Sequence, residues 1–258
     1  MAQNWPIALY KRSVLKQRKL REITALLGPT DGCCCLDVGG DNGVISALLR
    51  QRGGEWTSAD LDERTVQAIA RLVGERVYQI NGSATPFPDD TFDRVVIVDF
   101  LEHIDDDRAF IVELHRIMKP GGRLIVNVPH AKDNWLRRLR YALGDTDEAH
   151  GHVRPGYTPE SLAALLDGCF TVEVCRTYSK AFSELIDTAI RFGVARIKGR
   201  GEDGRKGQVV TGDDLGANRA LFRLYSLVYP VVWLFAQLDR LLFFTSGYKL
   251  IARATVNK

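Results

Sequence analysis

The stretch N-G-S-A-T-P-F-P-D-D-T-F-D-R-V-V-I-V-D-F-L-E-H-I-D-D-D, residues 81–107, decides how this chain is read. An apolar run, Val95 to Val98, stops at Asp99; Leu101-Glu102-His103 follow. A helical pattern then closes on Lys119-Pro120-Gly121-Gly122 before another apolar run begins. A strand that ends in a carboxylate, a helix, a Pro-Gly-Gly stop and a second strand form one unit of an alternating β/α chain. Upstream, Leu36-Asp37-Val38-Gly39-Gly40-Asp41-Asn42-Gly43 ends an earlier apolar run in a glycine-rich turn. Glycine there permits positive φ and close backbone approach to a ligand, and the helix that follows offers unpaired N–H groups.

Working outward, the same alternation predicts apolar strands at Cys33–Val38, Trp56–Asp60, Val77–Ile80, Arg94–Asp99 and Leu124–Val128. Helices are expected at Val44–Arg52, Glu63–Val73 and Asp107–Met118. A further helix over Thr158–Asp167 has Thr158 as N-cap and Pro159 in its first turn. Phe170–Tyr178 alternates as a sixth strand. The fold class is α/β, with a parallel sheet and helices on both faces.

Taken together and in this order, the motifs resemble those of the class I S-adenosylmethionine (SAM) methyltransferases, over roughly Leu36 to Val174. The likeness is to the small-molecule group that includes the ubiquinone and menaquinone biosynthesis enzymes. It implies a Rossmann-like sheet of seven strands, six parallel and the last antiparallel and inserted between strands five and six. Tyr248–Val256 is the candidate for that last strand. SAM is the implied cofactor. Asp37, Gly39, Gly40, Asp41 and Gly43 would form its first turn, with Asp41 standing where the group has a middle glycine. Asp60 and Leu61 would face the ribose, where a carboxylate accepts from both hydroxyls. Ser83 and Ala84 would form the adenine-side turn, with Ser83 in place of the group's acid. Asp99 and Phe100 would lie beside the sulfonium. The segment His150-Gly151-His152-Val153-Arg154, before a helix, resembles an active-site lid.

The reaction so implied is an in-line displacement that needs collinear reactants and exclusion of water. An oxygen nucleophile would gain from a base, and His152, His130 and His103 are the candidates, although His103 also suits an anchor for its loop. His150 and His152 show no evident third ligand, so no metal is expected. The G-x-G-x-x-G of nicotinamide enzymes is absent, as is [NDS]-P-P-[YF] after the fourth strand. O- or C-methylation of a hydrophobic small molecule or a lipid- or glycan-linked intermediate is the expected function. The alternative is a SAM-binding module without turnover.

Composition sets wider bounds. The chain has 258 residues, 45% hydrophobic and 26% charged, with net charge +3, too small an excess to indicate nucleic-acid binding. Five cysteines without ligand spacing suggest buried thiols in a reducing compartment. No apolar leader precedes the first charges, so a cytoplasmic location, at most at the inner face of a membrane, is expected. Residues 1–30 read as a basic N-terminal helix over Trp5–Leu27, with six basic residues from Lys11 to Arg21. They serve either as a solvated face or as a surface for an anionic substrate or membrane. Residues 31–178 and 248–258 form the core, and 179–247 an insertion with a helix near Phe182–Ile197. The insertion also holds a glycine-rich tether, Gly199–Gly216, and an apolar segment, Leu221–Phe244. Its uncharged run between Arg223 and Asp239, about fifteen residues with Pro230 in the middle, is too short to span a bilayer, so the segment is expected to be a lid, a membrane-interface element or a dimer surface.

Overall fold

The computed structural model describes residues 5–40, 42–198 and 219–258; Asp41 and the expected tether Gly199–Gly216 lie outside the described residues. Two helices open the chain, α1 (Trp5–Tyr10) and α2 (Val14–Leu27). The single helix expected over Trp5–Leu27 is broken because Ser13 leaves the helical region and caps α2, its hydroxyl accepting from Lys16 N at 3.3 Å.

The core then alternates as the hydrophobic runs require. Strands β1 (Cys34–Val38), β2 (Glu55–Asp60), β3 (Val77–Gln79) and β4 (Phe92–Val98) are separated by α3 (Val44–Arg50) and α4 (Glu63–Val73). After α5 (Asp107–Ile117) come β5 (Met118–Pro129), α6 (Trp135–Ala142), α7 (Pro159–Leu166) and β6 (Phe170–Tyr178). The insertion supplies α8 (Ala181–Lys198) and α9 (Arg219–Gln237), and β7 (Lys249–Val256) completes the sheet. Asp62, Asp106 and Thr158 cap α4, α5 and α7, the last through a capping box with Ser161 and with Pro in the first turn.

All seven strands form one sheet in the order β3-β2-β1-β4-β5-β7-β6. β7 runs antiparallel to both neighbours, and the other pairs are parallel. Strand order reverses between β1 and β4, which opens a crevice at their carboxyl ends where open α/β sheets bind ligands. Two departures stand out. β5 starts at Met118, not after Gly122, because the Met118 side chain is fully buried and pairs with Phe92. α6 fills a stretch for which no element was expected; Asn134 caps it, accepting from Arg137 N at 3.0 Å.

Side chains from the central strands feed two apolar layers. Leu36, Val95, Ile97, Leu124 and Val126 face α5 and α7; Cys35, Val96, Val98 and Ile125 face α2 and α3 with Ile23, Leu27 and Leu49. All five cysteines are free, and burial pushes the Cys35 thiol up to about 12. The basic helix α2 is therefore part of the core on its Ile23–Leu27 face.

Asp239, only 2% exposed, joins the insertion to α2. It accepts from Lys180, Phe182 and Ser183 N at 2.8, 3.0 and 3.2 Å, and pairs with Arg18 at 2.8 Å. Asp239→Ala should strand those donors and cost about 2–4 kcal/mol in urea unfolding. A loss well under 1 kcal/mol would show that α8 and α9 are held by apolar contact alone.

Candidate active site

The turn after β1 is shaped from beneath. Gly39 sits at φ +84°, and a Cβ there would lie 2.1 Å from Val98 O, so no other residue fits between β1 and β4. At Gly43, φ +78°, a Cβ would meet Ile69 Cα at 2.8 Å. Asp37 departs from its expected place against a ligand. It is 1% exposed and accepts from the Ser46 hydroxyl, from Ser58 Oγ at 2.8 Å and from Arg50 Nη1 at 3.3 Å. Burial raises its pKa while these partners lower it, and the carboxylate braces β1, α3 and β2 instead of reaching the crevice.

Asp60, at the carboxyl end of β2, is half-buried and its Oδ1 accepts from Leu61 N at 2.8 Å. Leu61 packs against the core beside it. The next turn is organised by Asn81, whose Oδ1 accepts from Ser83 N at 3.1 Å and Ala84 N at 2.9 Å. Ser83 Oγ donates to the same oxygen at 3.3 Å. These groups lie along the carboxyl ends of β3, β2 and β1, next to the Gly39 turn.

At the end of β4, Asp99 adopts a left-handed φ of +44°, which aspartate tolerates better than most side chains. Its carboxylate pairs with Lys19 of α2 and with Lys249 of β7 at 3.3 Å, and accepts from Asn127 Nδ2 at 3.2 Å. Asn127 in turn accepts from the buried Tyr178 hydroxyl. Burial alone would raise the Asp99 carboxyl, but the two ammonium groups hold it well below the usual carboxylate range. Phe100, fully buried, stacks at 5.0 Å on Phe110 and faces the core.

Beside Asp99 lies a second group of titratable side chains. Glu102 is 0% exposed, and among the described residues neither carboxylate oxygen has a hydrogen-bond partner. One ligand atom each of Glu102, His103 and His152 falls within 4.8 Å of the others. The cluster takes in His152 alone of the two lid histidines, while His150 pairs with Asp145. Burial and the nearby Asp99 charge push Glu102 up to about 8. Burial and the neighbouring His103 push His152 down to about 4, and His103 is lowered as well, mainly by burial. Near neutral pH the cluster holds one proton on Glu102 and two uncharged imidazoles. That state suits proton exchange, whereas a divalent ion would require Glu102 to give its proton up.

The lid segment is fastened to the loop after β4. His103 Nδ1 lies 3.1 Å from Gly151 O, and Val153 N donates to Glu102 O at 2.9 Å. Arg154 donates to Ile104 O and Asp105 O at 2.9 and 2.7 Å, and pairs with Asp107. The Tyr157 hydroxyl donates to Asp107 Oδ2 at 2.7 Å. The rings of His103 and His152 meet edge-on at 4.8 Å. His130, expected as a catalytic candidate, is used differently: its Nδ1 contacts Gly247 O at 2.7 Å and its backbone bridges to Tyr157, pinning the segment before β7. His150 pairs with Asp145 at 2.8 Å.

Lys19, Lys249, Asn127 and Glu102 were not anticipated as site residues. Glu102 did carry a local signal, since it stands between a strand-end acid and a histidine in the quoted stretch. Lys19 and Lys249 carried none, because long-range pairing across 80 and 150 positions leaves no trace in spacing.

Residues 36–126 match the family profile of a methyltransferase domain. The demethylmenaquinone methyltransferase of Tropheryma whipplei is 34% identical over 110 residues, 41% of this chain and 46% of that protein. The ubiquinone biosynthesis O-methyltransferase of Paramagnetospirillum magneticum is 29% identical over 177 residues, covering 64% and 69%. The chain thus spans about half the length of the first of these relatives. Among solved structures, the [4+2]-cyclase SpnF superposes with a TM-score of 0.62 at 18% identity, over 93% of this chain and 80% of that one, a likeness of fold.

The protonation of Glu102 has a thermodynamic signature. Its folded pKa, about 8, lies above the ordinary 4.5, so the folded state holds the extra proton between these values. Its contribution to stability is complete below the ordinary value and is lost as pH rises through about 8. Glu102→Gln should therefore leave the melting temperature unchanged in acid and raise it on the alkaline side. Parallel pH–stability curves for the two proteins would show that Glu102 is not buried as the neutral acid.

Proposed function

We propose that this chain, whose residues 36–126 are a methyltransferase domain resembling class I SAM-dependent enzymes of ubiquinone and menaquinone biosynthesis, transfers a methyl group to a hydrophobic acceptor. The acceptor is a small molecule or a lipid- or glycan-linked intermediate, methylated at oxygen or carbon. The likeness to a demethylmenaquinone methyltransferase and to a ubiquinone biosynthesis O-methyltransferase supports a hydrophobic acceptor.

The residues at the crevice fit SAM. The Gly39 turn admits close approach at the strand-order reversal, and Asp60 stands one strand away with a carboxylate suited to a ribose diol. The orphaned, buried Glu102 marks the edge where a reacting group would be placed. When bound, SAM supplies an electrophilic methyl on a positively charged sulfur. Asp99, ionised and fixed by Lys19 and Lys249, keeps a negative field at the end of β4 that favours a cation nearby. The fastened lid over Glu102 excludes water.

The observation that carries the reading is the fully buried Glu102 carboxyl grouped within 4.8 Å of His103 and His152 at the end of β4, beside the crevice. A hydroxyl becomes more acidic as its oxygen gains a methyl, so even a weakly basic neutral His152 can accept its proton. Glu102 in its carboxylate form then draws the proton inward, and His103 holds the lid in register. Proton removal by this route strengthens as pH rises through about 8, where Glu102 becomes the carboxylate.

Asp60→Ala should weaken SAM binding by about 1–3 kcal/mol in calorimetry, through loss of acceptors for the ribose. His152→Ala and Glu102→Gln should each lower turnover by roughly 10²–10⁴ and leave SAM affinity nearly unchanged. Wild-type turnover by both variants would remove the cluster from the chemistry, and absence of SAM binding by folded protein would sink the assignment. Turnover should also survive exhaustive chelation; its loss, restored by a divalent ion, would reassign Glu102, His103 and His152 as metal ligands.

A further inference from the structure

Among the described residues, the insertion leaves a large apolar face without a partner. Along α9 and the 3-10 turn after it, Leu227, Val231, Leu234, Leu238 and Leu241 recur at helical spacing and all face outward, Leu227 at 78% exposure. The opposite stripe, Val232, Ala236 and Asp239, is buried against α8 and α2. Beyond the turn, Phe243 and Phe244 are 83% and 73% exposed, with their rings crossed at 5.5 Å. Of the three readings open for this segment, a lid would bury these side chains, whereas in the structure they are exposed. Each fully buried phenylalanine or leucine is worth roughly 1.5–3 kcal/mol, so a continuous stripe of them facing water calls for a partner.

Charge around this face selects the partner. Between Leu224 and Phe244 there is one carboxylate, Asp239, and it is buried and paired, whereas Arg240 is exposed. α2 lies alongside, held by Gln17 Nε2 donating to Tyr229 Oη at 3.0 Å and by Arg12 over the Tyr229 ring at 5.6 Å. That contact places the start of α2, with the exposed Lys11 before it, next to α9, while Arg18 and Lys19 are turned inward onto Asp239 and Asp99. The only acid in α1 and α2, Glu22, is tied to Arg176 at 2.7 Å. An apolar stripe flanked by exposed Arg240 and Lys11, with no exposed carboxylate between Leu224 and Phe244, fits the acyl and headgroup layers of an anionic bilayer. A second copy placed on the face through a two-fold axis would set like charges against each other. No helix among the described residues is long and apolar enough to cross a membrane, in keeping with a helix that lies in the interface.

We propose that α9 and the Leu238–Phe244 turn dock this protein on the surface of an anionic lipid bilayer, with Phe243 and Phe244 inserted among the acyl chains and Arg240 and α2 at the headgroups. Docking there bears on the site directly. Gly247, three residues past Phe244, receives His130, and Ser246 O receives Lys132 Nζ at 3.0 Å. An apolar acceptor dissolved in the bilayer would thus meet the protein on the side that leads to the carboxyl edge of the sheet. The acceptor class rests on the function proposed above, but docking itself requires neither SAM nor acceptor.

Flotation with vesicles tests it, using phosphatidylcholine alone and phosphatidylcholine enriched in phosphatidylglycerol. The full chain should float with the anionic vesicles, less so as salt rises. Phe243→Ser with Phe244→Ser should lower the partition coefficient on the order of tenfold per side chain at any salt. Lys11→Glu with Arg240→Glu should abolish only the salt-sensitive part. Because all four side chains stand clear of the core, the circular dichroism of the variants should match wild type, and their sedimentation in parallel reports the oligomeric state. Wild type that fails to float, or variants that float equally, would overturn the proposal. A dimer that dissociates in the Phe243→Ser, Phe244→Ser protein without flotation would assign the face to a second copy instead.

Discussion

Three segments that are remote in sequence meet on one carboxylate. Asp99 receives Lys19 from α2, Lys249 from β7 and the Asn127 amide from β5, and through Asn127 it is joined to Tyr178 at the end of β6. Without the two cations, a largely enclosed carboxylate next to the unpartnered Glu102 would be strongly unfavourable, because like charges in a poorly solvated space repel. With them, Asp99 stays ionised and Glu102 is left as the group that takes up a proton. The order of proton affinities in the cluster therefore follows from where α2 and β7 are packed. The left-handed φ of Asp99 is part of the same arrangement: it sends the chain from β4 into Leu101–His103 so that Glu102 points inward.

The two buried acids of the core show opposite solutions to one problem. Asp37 has a hydroxyl or guanidinium on each oxygen and binds three elements together. Glu102 has none, and it is covered by a segment whose own backbone hydrogen bonds hold it in place. A satisfied buried carboxylate rigidifies, while an unsatisfied one stores a tendency to change protonation state. The first lies under the glycine turn and the second at the crevice edge, which divides support from chemistry along the same sheet.

How much of this was readable in advance follows from range. The order of strands and helices and the capping of α7 by Thr158 depend on local period and turn residues, and the chain displays them openly; the place of the last strand followed only from the resemblance to the methyltransferase group. The Asn81–Gly122 stretch also put Asp99, Glu102 and His103 at a strand end. What it could not display is direction. Asp37 looks like a ligand contact in the motif and proves to be turned into the fold, because Ser46, Arg50 and Ser58 converge on it only after β1, α3 and β2 assemble. The basic residues of α2 read equally as solvent-facing or functional, and Lys19 is resolved only by the packing of Ile23, Leu26 and Leu27 on the sheet. The apolar run of the insertion announced its length but not which of its sides would be covered.

The position of β7 in the sheet has a consequence for how the molecule is made. β5 and β6 flank it on either side, yet it is the last strand to leave the ribosome, after α8 and α9. Until then both flanking strands present open edges, and the nascent chain carries an apolar α9 with neither sheet closed nor Lys249 in place. Because Lys249 is one of the cations that set the charge of Asp99, the carboxylate at the end of β4 gains its second ammonium partner only when β7 joins the sheet. Pairing of the strand and ionisation of the carboxylate thus depend on the same segment.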